Sequence, residues 1–376
     1  MSDLTPEDTG SARIAYVGSY TRPAEGGSGN GTDGISVYAV DPETGALTLS
    51  QVVPQVNPSW VTLDPGQRFL YASIETDDYE GEASGGMAAY AVDPETGHLT
   101  FINEQSSGGN YPCHQSVDPS GRFLVAANYG GPFVVFPIRA DGGLDPVSFV
   151  WQNDGAGPHP NQEMSHPHCA LFTPDGRFVA TADLGVDAVQ IFRLADDGTL
   201  HLESMALLAE GAGPRHLAFS PDASVLYVVN ELNATVTALA YNHDTGELGG
   251  ELQTISMTPD DFTDTRSAAE IIMHPSGRVL YASNREETPS VSPLASSIVA
   301  YRVDEETGEL ALAGYTFEGI DVPRGFAIDP TGTWLYVASQ KGHDLRQYVI
   351  DGETGALTPT GELLPTPSPV HVLFME

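Results

Sequence analysis

The sequence predicts an all-β fold, a seven-bladed β-propeller of four-stranded antiparallel blades. Two phrases that alternate along the chain predict this fold, and the two chain ends complete it. A repeat of about fifty residues is typical of units that are stacked or arranged radially.

The first phrase is an apolar run, a turn of the form Asp-Pro-x-Gly and an aromatic-rich strand, as in LDPGQRFLYAS from Leu63. Each occurrence predicts two strands around one turn. The phrase occurs six times, and the prolines of its turns are 54, 55, 47, 54 and 55 residues apart: Pro65, Pro119, Pro174, Pro221, Pro275 and Pro330.

The second phrase is a hairpin with an acidic turn that ends in glycine, as in VYAVDPETGALT from Val37. Such a turn needs a positive φ at its glycine. The phrase occurs seven times and alternates with the first, so that each period holds four strands.

The chain ends supply the remaining half-unit. Residues 14–21 (IAYVGSYT) resemble the second strand of a unit, and the C-terminal SPVHVLFME resembles its first strand. Pairing the two ends would close the ring and make residues 13–376 one propeller domain. The polar residues 1–12 are expected to form a disordered tail.

Composition limits the possible partners and the location of the chain. With 51 acidic and 15 basic side chains, the net charge is −36, which argues against nucleic-acid binding through a basic face. Lys341 is the single lysine, and this scarcity favours a halophilic protein over an ordinary acidic cytosolic one. The absence of a leader pattern and of a long apolar run predicts a cytoplasmic chain that makes no membrane contact.

The two cysteines, Cys113 and Cys169, do not make a disulfide framework and are expected to be small core residues in a reduced cytoplasm. A closed ring needs no partner chain. We therefore expect a monomer or a weak homo-oligomer.

We align the repeat units on their turns and call each position of the alignment a column. In two of these columns the residue type changes from unit to unit, and these columns predict the site. In a hairpin centred near residue 223, Arg215 and Glu231 are expected to face each other, which places both columns at one mouth of a channel lined by the first strands. Diverse polar side chains converging on a concavity indicate a small-molecule site. The first column, after a proline at the start of each first strand, reads Ser59, Cys113, His168, Arg215, Ala269, Arg324 and Val370, and the next position reads Trp60, His114, Cys169, His216, Glu270, Gly325 and His371. The second column, at the end of each second strand, reads Tyr20, Glu75, Tyr129, Leu184, Glu231, Arg285 and Gln340.

These residue types suit hydrolytic chemistry on an anion. Guanidinium groups bind carboxylate or phosphate in a planar, forked geometry. A glutamate or a histidine can hold or deprotonate a water molecule. The alternatives are a structural ion pair between Arg215 and Glu231, satisfied channel histidines at His168 and His216, and a solvated Lys341.

Three segments closely resemble the lactonase family of seven-bladed propellers, whose best-known members are 6-phosphogluconolactonases. They are GPHPNQEMSHPHCALFTPDGRFVATADLGVDAVQIF from Gly157, GAGPRHLAFSPDASVLYVVNELNATV from Gly211 and VPRGFAIDPTGTWLYVASQKGHDLRQY from Val322. The resemblance implies hydrolysis of a sugar lactone in the central cleft, with neither a metal nor another cofactor required. One departure is the Asn161-Gln162-Glu163 segment, where relatives often have an arginine before Gln-Glu.

The resemblance extends to carboxy-muconate cyclising enzymes, whose proposed site uses a histidine, two arginines and a glutamate. The matching positions here are His168, Arg215, Glu231 and Arg285. The leading hypothesis is opening of 6-phosphogluconolactone by water, with Glu231 or His168 as the general base and Arg215 at the oxyanion. The expected substrate contacts are Arg285, Arg324, His216, Asn128, Tyr129, Asn284, Gln340, Lys341 and His166.

Three alternative functions stay open at this point. The same side chains could serve a muconate lactonising isomerase, and a non-catalytic propeller would use its faces to bind partners. A calcium-dependent gluconolactonase would need an oxygen ligand set, and the three channel arginines argue against a divalent cation beside them.

Overall fold

The computed structural model describes residues 13–25, 27, 29, 33–265, 267–286 and 292–375. The predicted disordered tail, residues 1–12, lies outside them. The described strands form seven antiparallel sheets of four strands each, which confirms the predicted propeller.

The blades are numbered here from the one that contains both chain ends, and each is given from its first to its fourth strand. Blade 1 consists of β28 (Pro369–Met375), β1 (Arg13–Ser19), β2 (Gly34–Val40) and β3 (Leu47–Pro54). Blade 2 consists of β4 (Val61–Leu63), β5 (Phe69–Ile74), β6 (Gly86–Val92) and β7 (Leu99–Ser106). Blade 3 consists of β8 (Asn110–Val117), β9 (Phe123–Gly130), β10 (Phe133–Pro137) and β11 (Phe149–Trp151). Blade 4 consists of β12 (Pro167–Phe172), β13 (Val179–Asp183), β14 (Ala188–Leu194) and β15 (Leu200–Leu207).

The remaining blades follow the same order. Blade 5 consists of β16 (Pro214–Phe219), β17 (Val225–Asn230), β18 (Thr235–Asn242) and β19 (Glu247–Ser256). Blade 6 consists of β20 (Ala268–Met273), β21 (Val279–Asn284), β22 (Ser297–Val303) and β23 (Leu310–Thr316). Blade 7 consists of β24 (Pro323–Ile328), β25 (Trp334–Ser339), β26 (Asp344–Ile350) and β27 (Leu357–Pro365). In the described part of the chain, three short 3₁₀ helices lie outside the sheets, at Pro23–Glu25, Leu184–Val186 and Pro293–Ala295.

The first strands line the centre of the ring, as predicted. Each of them contacts the first strands of its two neighbours, from β4 through β8, β12, β16, β20 and β24 to β28 and back to β4. The C-terminal β28 pairs antiparallel with the N-terminal β1, with Val17 opposite Val372. Closure by the two chain ends is thereby confirmed.

The apolar core lies between the blades. It consists of clusters that each join two neighbouring blades around the ring. A tyrosine on the second strand of several blades also donates its buried hydroxyl to a turn glycine of the next blade. These bonds are Tyr16 to Gly97, Tyr71 to Gly142, Tyr227 to Gly308, Tyr281 to Gly355 and Tyr336 to Gly45.

Aspartate side chains shape both kinds of turn. In the Asp-Pro-x-Gly turns, the buried Asp118 accepts the backbone N–H groups of Arg122 and Phe123 at 2.7 Å each. In the second kind, Asp41 accepts the N–H of Thr44 at 2.8 Å, and Gly45 has the expected positive φ of 70°. The acidic and glycine residues that mark the repeats therefore have a local structural role.

A β-bulge near the start of the first strand aims the site residues. In β16 the register passes from Pro214 opposite Asn230 to His216 opposite Val229, so Arg215 is the additional residue of a bulge. The expected pairing of Arg215 with Glu231 is therefore wrong in register, because the inserted residue shifts it. A bulge re-aims the side chain it carries. The same shift leaves one additional first-column residue in four other first strands: Cys113 in β8, His168 in β12, Arg324 in β24 and Val370 in β28.

Candidate active site

One cavity of about 410 Å³ lies at the end of the propeller where the two columns meet. Every blade contributes at least one side chain to its wall. The lining residues are Tyr20, Ala24, Glu75, Tyr111, Cys113, Tyr129, His168, Glu231, Arg285, Arg324 and Gln340. A cavity of about 440 Å³ among the turns of blades 5 and 6 is lined by acidic and hydroxyl side chains such as Asp222 and Glu306, without the convergence of several blades.

Glu231 is held by two guanidinium groups. Oε2 of Glu231 lies 2.9 Å from Nε of Arg215 and 2.8 Å from Nη2 of Arg285. Both contacts fall on the same carboxylate oxygen, so Oε1 takes no part in these two ion pairs. The ion pair between Arg215 and Glu231 is therefore real, and it supports a cavity residue.

Arg215 lies behind this carboxylate, outside the cavity lining. Its side chain is 2% exposed, and Nη1 donates to the carbonyl of Ala269 at 2.7 Å. Burial, together with the positive charges of Arg285 and Arg324, lowers the pKa of Arg215 to about 10. The group stays charged at neutral pH but is placed to orient Glu231 rather than to touch an oxyanion.

A second carboxylate, Glu75, lies in the same cavity. Its Oε1 accepts the hydroxyl of Tyr20 at 2.9 Å and lies 3.5 Å from Nη2 of Arg324. Arg324 also stacks over the Tyr20 ring, with Cζ 5.2 Å from the ring centroid. Burial raises the pKa of Tyr20 well above its ordinary value, so the phenol keeps its proton. The sequence placed Glu75 and Tyr20 in the second column, but neither was selected as a site residue.

His168 and Cys113 meet in the cavity wall from neighbouring blades. Nδ1 of His168 lies 3.7 Å from Sγ of Cys113. Burial and the charge of Arg215 hold the pKa of His168 well below its usual range, so the imidazole is neutral. Burial also raises the pKa of the Cys113 thiol. Cys169 is a buried core residue as expected, whereas Cys113 lines the cavity because of its bulge.

Tyr129 lines the cavity with support from His166. The two rings stack with centroids 4.4 Å apart, and Nδ1 of His166 donates to the backbone carbonyl of Tyr129 at 2.7 Å. Nε2 of His166 lies 3.4 Å from a carboxylate oxygen of Glu163. His166 therefore braces a lining residue rather than lining the cavity itself.

Four further expected substrate contacts lie away from the cavity. The amide of Asn128 donates to the carbonyls of Ser107 and Pro132, and that of Asn284 donates to the carbonyl of Met257. Both amides are used in holding loops between strands. The other two are Lys341, which is exposed in the turn after β25, and His216, which is buried within the channel.

Tyr111 is a lining residue that the sequence reasoning did not consider. It precedes the proline before the first column and has a φ of 55°. The alignment could have indicated Tyr111 through the position that precedes the proline at the start of each first strand. Five of the residues at this position have a left-handed backbone: Asn57, Tyr111, Gly213, Val322 and Ser368.

Below the cavity, rings fill the channel. Trp60 stacks on His371 at a centroid distance of 3.8 Å and lies against His114 at 4.1 Å. The ring of His216 lies edge-on to Trp60 at 5.1 Å. We call these four residues the channel ring cluster. The ring of His216 also lies edge-on to that of His168 at 5.1 Å, so the cluster adjoins the cavity wall.

Among the described residues, no group of three or more His, Cys, Asp and Glu side chains is arranged to hold a metal ion. The described helices include none that is long and apolar enough to cross a membrane.

Comparisons with known proteins agree with this architecture. A 6-phosphogluconolactonase from Bacillus subtilis is 38% identical over 365 residues, which cover 96% of this chain and 98% of the relative. The solved structure of a periplasmic gluconolactonase from Pseudomonas aeruginosa has a TM-score of 0.87 at 30% identity and covers 97% of this chain and 99% of its own. A solved structure from Bacteroides fragilis has a TM-score of 0.86 at 32% identity and covers 99% and 100%. Residues 14–374 match the family described as "Lactonase, 7-bladed beta-propeller", and the chain belongs to that family.

Proposed function

We propose that this protein hydrolyses a sugar lactone in the cavity at the mouth of the propeller, and that 6-phosphogluconolactone is its substrate. One observation carries the proposal: the Glu231 carboxylate is fixed by two guanidinium groups in the wall of a cavity to which all seven blades contribute. The Bacillus relative, named a 6-phosphogluconolactonase, supports the substrate.

The reaction needs a base, an oxyanion contact and a proton for the leaving oxygen. Oε1 of Glu231 takes a proton from a water molecule as the water oxygen bonds to the lactone carbonyl carbon. The ring C–O bond then breaks, and the ring oxygen takes the proton back from Glu231 to become a hydroxyl. The product is an open-chain sugar acid, which ionises to its carboxylate.

Arg285 is the oxyanion contact in this scheme, and not Arg215. Arg285 lines the cavity and binds the oxygen of Glu231 next to the one that acts as base. A donor at that place meets the carbonyl oxygen as negative charge develops there, which is a large contribution to such a step. Arg215 acts through Glu231 because it is buried behind the carboxylate.

His168 is the alternative base. Its neutral imidazole lines the cavity and can accept a proton, but a strongly lowered pKa makes it a weak base. In our scheme it hydrogen-bonds the attacking water or the substrate. Arg324, with Tyr129 and Gln340 nearby in the lining, binds the phosphorylated end of the sugar. Lys341 lies outside the lining and has no contact with the substrate in this scheme. We propose a cytoplasmic location for this reaction, in line with the prediction from the sequence.

A substrate panel tests the proposal. Free and phosphorylated five- and six-carbon aldonolactones, together with a muconolactone, are offered at high salt, and each rate is corrected for spontaneous opening. We expect the fastest turnover with 6-phosphogluconolactone. Faster turnover of free gluconolactone would overturn the phosphate assignment, and turnover of the muconolactone alone would favour the isomerase. No acceleration of any lactone would overturn the function itself.

A further inference from the structure

Beneath the cavity, a buried chain of polar contacts leads to Glu231. Oε1 of Glu270 lies 2.9 Å from Nδ1 of His216, and Nε2 of His216 lies 3.4 Å from Nη1 of Arg215. Arg215 continues the chain to Glu231 at 2.9 Å. Four side chains, carried by β16, by β20 and by the residue after β17, thus connect the channel ring cluster to the cavity wall.

The pattern of partners fixes the proton on His216. A carboxylate at Nδ1 requires a proton on that nitrogen, which leaves Nε2 as an acceptor for the guanidinium of Arg215. Burial and the charge of Arg215 hold the pKa of His216 well below its ordinary range, so the ring is neutral. The opposite tautomer would turn an N–H group against the N–H groups of Arg215.

Burial of the Glu270 carboxylate is energetically unfavourable. Its side chain is 6% exposed, and an isolated buried carboxylate is strongly unfavourable. Oε1 also accepts the N–H of Ile271 at 3.0 Å. With Glu270 ionised, the site contains as many carboxylates as guanidinium groups. The carboxylates are Glu75, Glu231 and Glu270, and the guanidinium groups are Arg215, Arg285 and Arg324.

We propose that Glu270 and His216 are positioning residues that hold Arg215, and through it Glu231, in the orientation that lactone hydrolysis uses. This inference depends on the proposed function for its activity measurement. It assigns a role to Glu270, for which the sequence predicted none. It also makes His216 a residue that supports Arg215, whereas the sequence predicted a substrate contact.

The chain also makes the site sensitive to pH. Desolvation raises the pKa of Glu270 to about 7, against the opposing effects of Arg215, His371, the Ile271 N–H and Arg324. His216 from β16 and His371 from β28 face it as well, and burial lowers the pKa of His371 to about 4, so both rings stay neutral. Cys169 from β12 feels the charge of Glu270 and keeps its proton, because burial raises the pKa of its thiol. Glu270 is thus the group in this set that changes charge near neutral pH.

Activity and stability should respond to this ionisation in opposite directions. Protonation of Glu270 removes the charge that holds the His216 tautomer, so kcat should fall as the pH drops through about 7. Stability should change in the opposite direction, because the pKa of Glu270 is higher in the folded protein than in the unfolded chain. Between the unfolded-state pKa and about 7, Glu270 keeps a proton in the folded protein that it has lost in the unfolded chain. The wild-type protein should therefore lose stability across that window as the pH rises.

The test compares Glu270→Gln, a mimic of the protonated acid, with wild type from pH 5 to pH 9. We expect a kcat at least tenfold lower above pH 7, a KM that changes less, and no acid limb near pH 7. His216→Asn, which keeps a donor toward Glu270 but removes the acceptor for Arg215, should lower kcat in the same way. His114→Gln is the matched control. His114 lies in the channel ring cluster, where Nδ1 accepts the N–H of Ala170 at 3.3 Å, and it takes no part in the contacts that link Glu270 to Glu231. Its variant should keep the acid limb.

A thermal measurement separates this inference from the proposed function. The melting temperature of Glu270→Gln minus that of wild type should increase as the pH rises from 5 to 7, and this difference should stay constant above pH 7. Should no lactone be turned over, this profile still decides whether Glu270 titrates in the folded protein. Two results overturn the inference: wild-type kcat with an unchanged acid limb in Glu270→Gln, or loss of the limb in His114→Gln as well.

Discussion

Nη2 of Arg285 lies 2.8 Å from Oε2 of Glu231, so a guanidinium from blade 6 and a carboxylate from blade 5 share one wall of the cavity. Each residue follows the second strand of its blade, at equivalent positions of the repeat. The contact can therefore form only when neighbouring blades are docked in the ring. In this way the closed propeller brings together groups that no single blade contains.

Replacing Glu231 with Gln should remove the general base and keep the shape of the side chain. General-base catalysis contributes about 10² to 10⁴-fold, so we expect kcat/KM for the lactone to fall by about that factor. The measurement is steady-state hydrolysis corrected for spontaneous opening.

A matched control for this variant is Glu203→Gln. Glu203 accepts from Nε of the half-exposed Arg193 at 2.6 Å, far from the cavity lining. Its variant should keep wild-type kinetics. If Glu231→Gln were as active as Glu203→Gln while His168→Gln were inactive, the base would be His168.

The cavity thiol should be unreactive. Burial raises the pKa of Cys113, and the thiolate is the nucleophilic form of cysteine. We expect a thiol-titrating disulfide reagent to modify neither Cys113 nor Cys169 in the folded protein at pH 7.5, and to modify both after unfolding. Cys113→Ala should keep most of the activity, since the thiol has no role in the proposed reaction. Rapid modification together with loss of activity would contradict both expectations.

The tyrosine bonds between blades should stabilise the ring. In Tyr227→Phe the carbonyl of Gly308 loses a buried donor, and leaving such a group unsatisfied costs about 1–3 kcal/mol. Thermal or urea unfolding of Tyr227→Phe, Tyr71→Phe and the double variant measures this cost. The two tyrosines lie in blades 5 and 2, so their effects should add. Unfolding free energies equal to wild type would show that water replaces the lost bond.

The blades were predictable because their signals are local. A turn such as Asp41 to Gly45 is specified by residues within one hairpin, and turns with the same backbone hydrogen bond recur in blades 2, 5, 6 and 7. The bonds between blades were not predicted, because partners such as Tyr227 and Gly308 are 81 residues apart and lie in different repeats.

The column alignment predicted the end of the propeller at which the cavity lies, but not which side chains line it. One inserted residue decides this. The bulge in β16 shifts the register, and Arg215 then lies behind Glu231 rather than in the lining. Asn284 and Arg285 are adjacent in the chain, yet the amide holds the carbonyl of Met257 and the guanidinium lines the cavity. Residue types alone do not separate these two cases, since both are polar and buried.

The acidic surface should make the protein dependent on salt. With 51 acidic and 15 basic side chains, like charges repel more strongly in the folded chain than in the unfolded one. The Debye length falls from ~10 Å at 0.1 M to ~3 Å at 1 M salt, so molar salt screens most of this repulsion. We expect the melting temperature and the lactonase activity to rise together between about 0.1 M and about 2 M KCl, with most of the gain within the first molar. Sucrose is the control, because an excluded osmolyte strengthens apolar burial without screening charge. A melting temperature that stays flat or falls in KCl would contradict a halophilic adaptation, and an equal rise in sucrose would attribute the gain to burial instead.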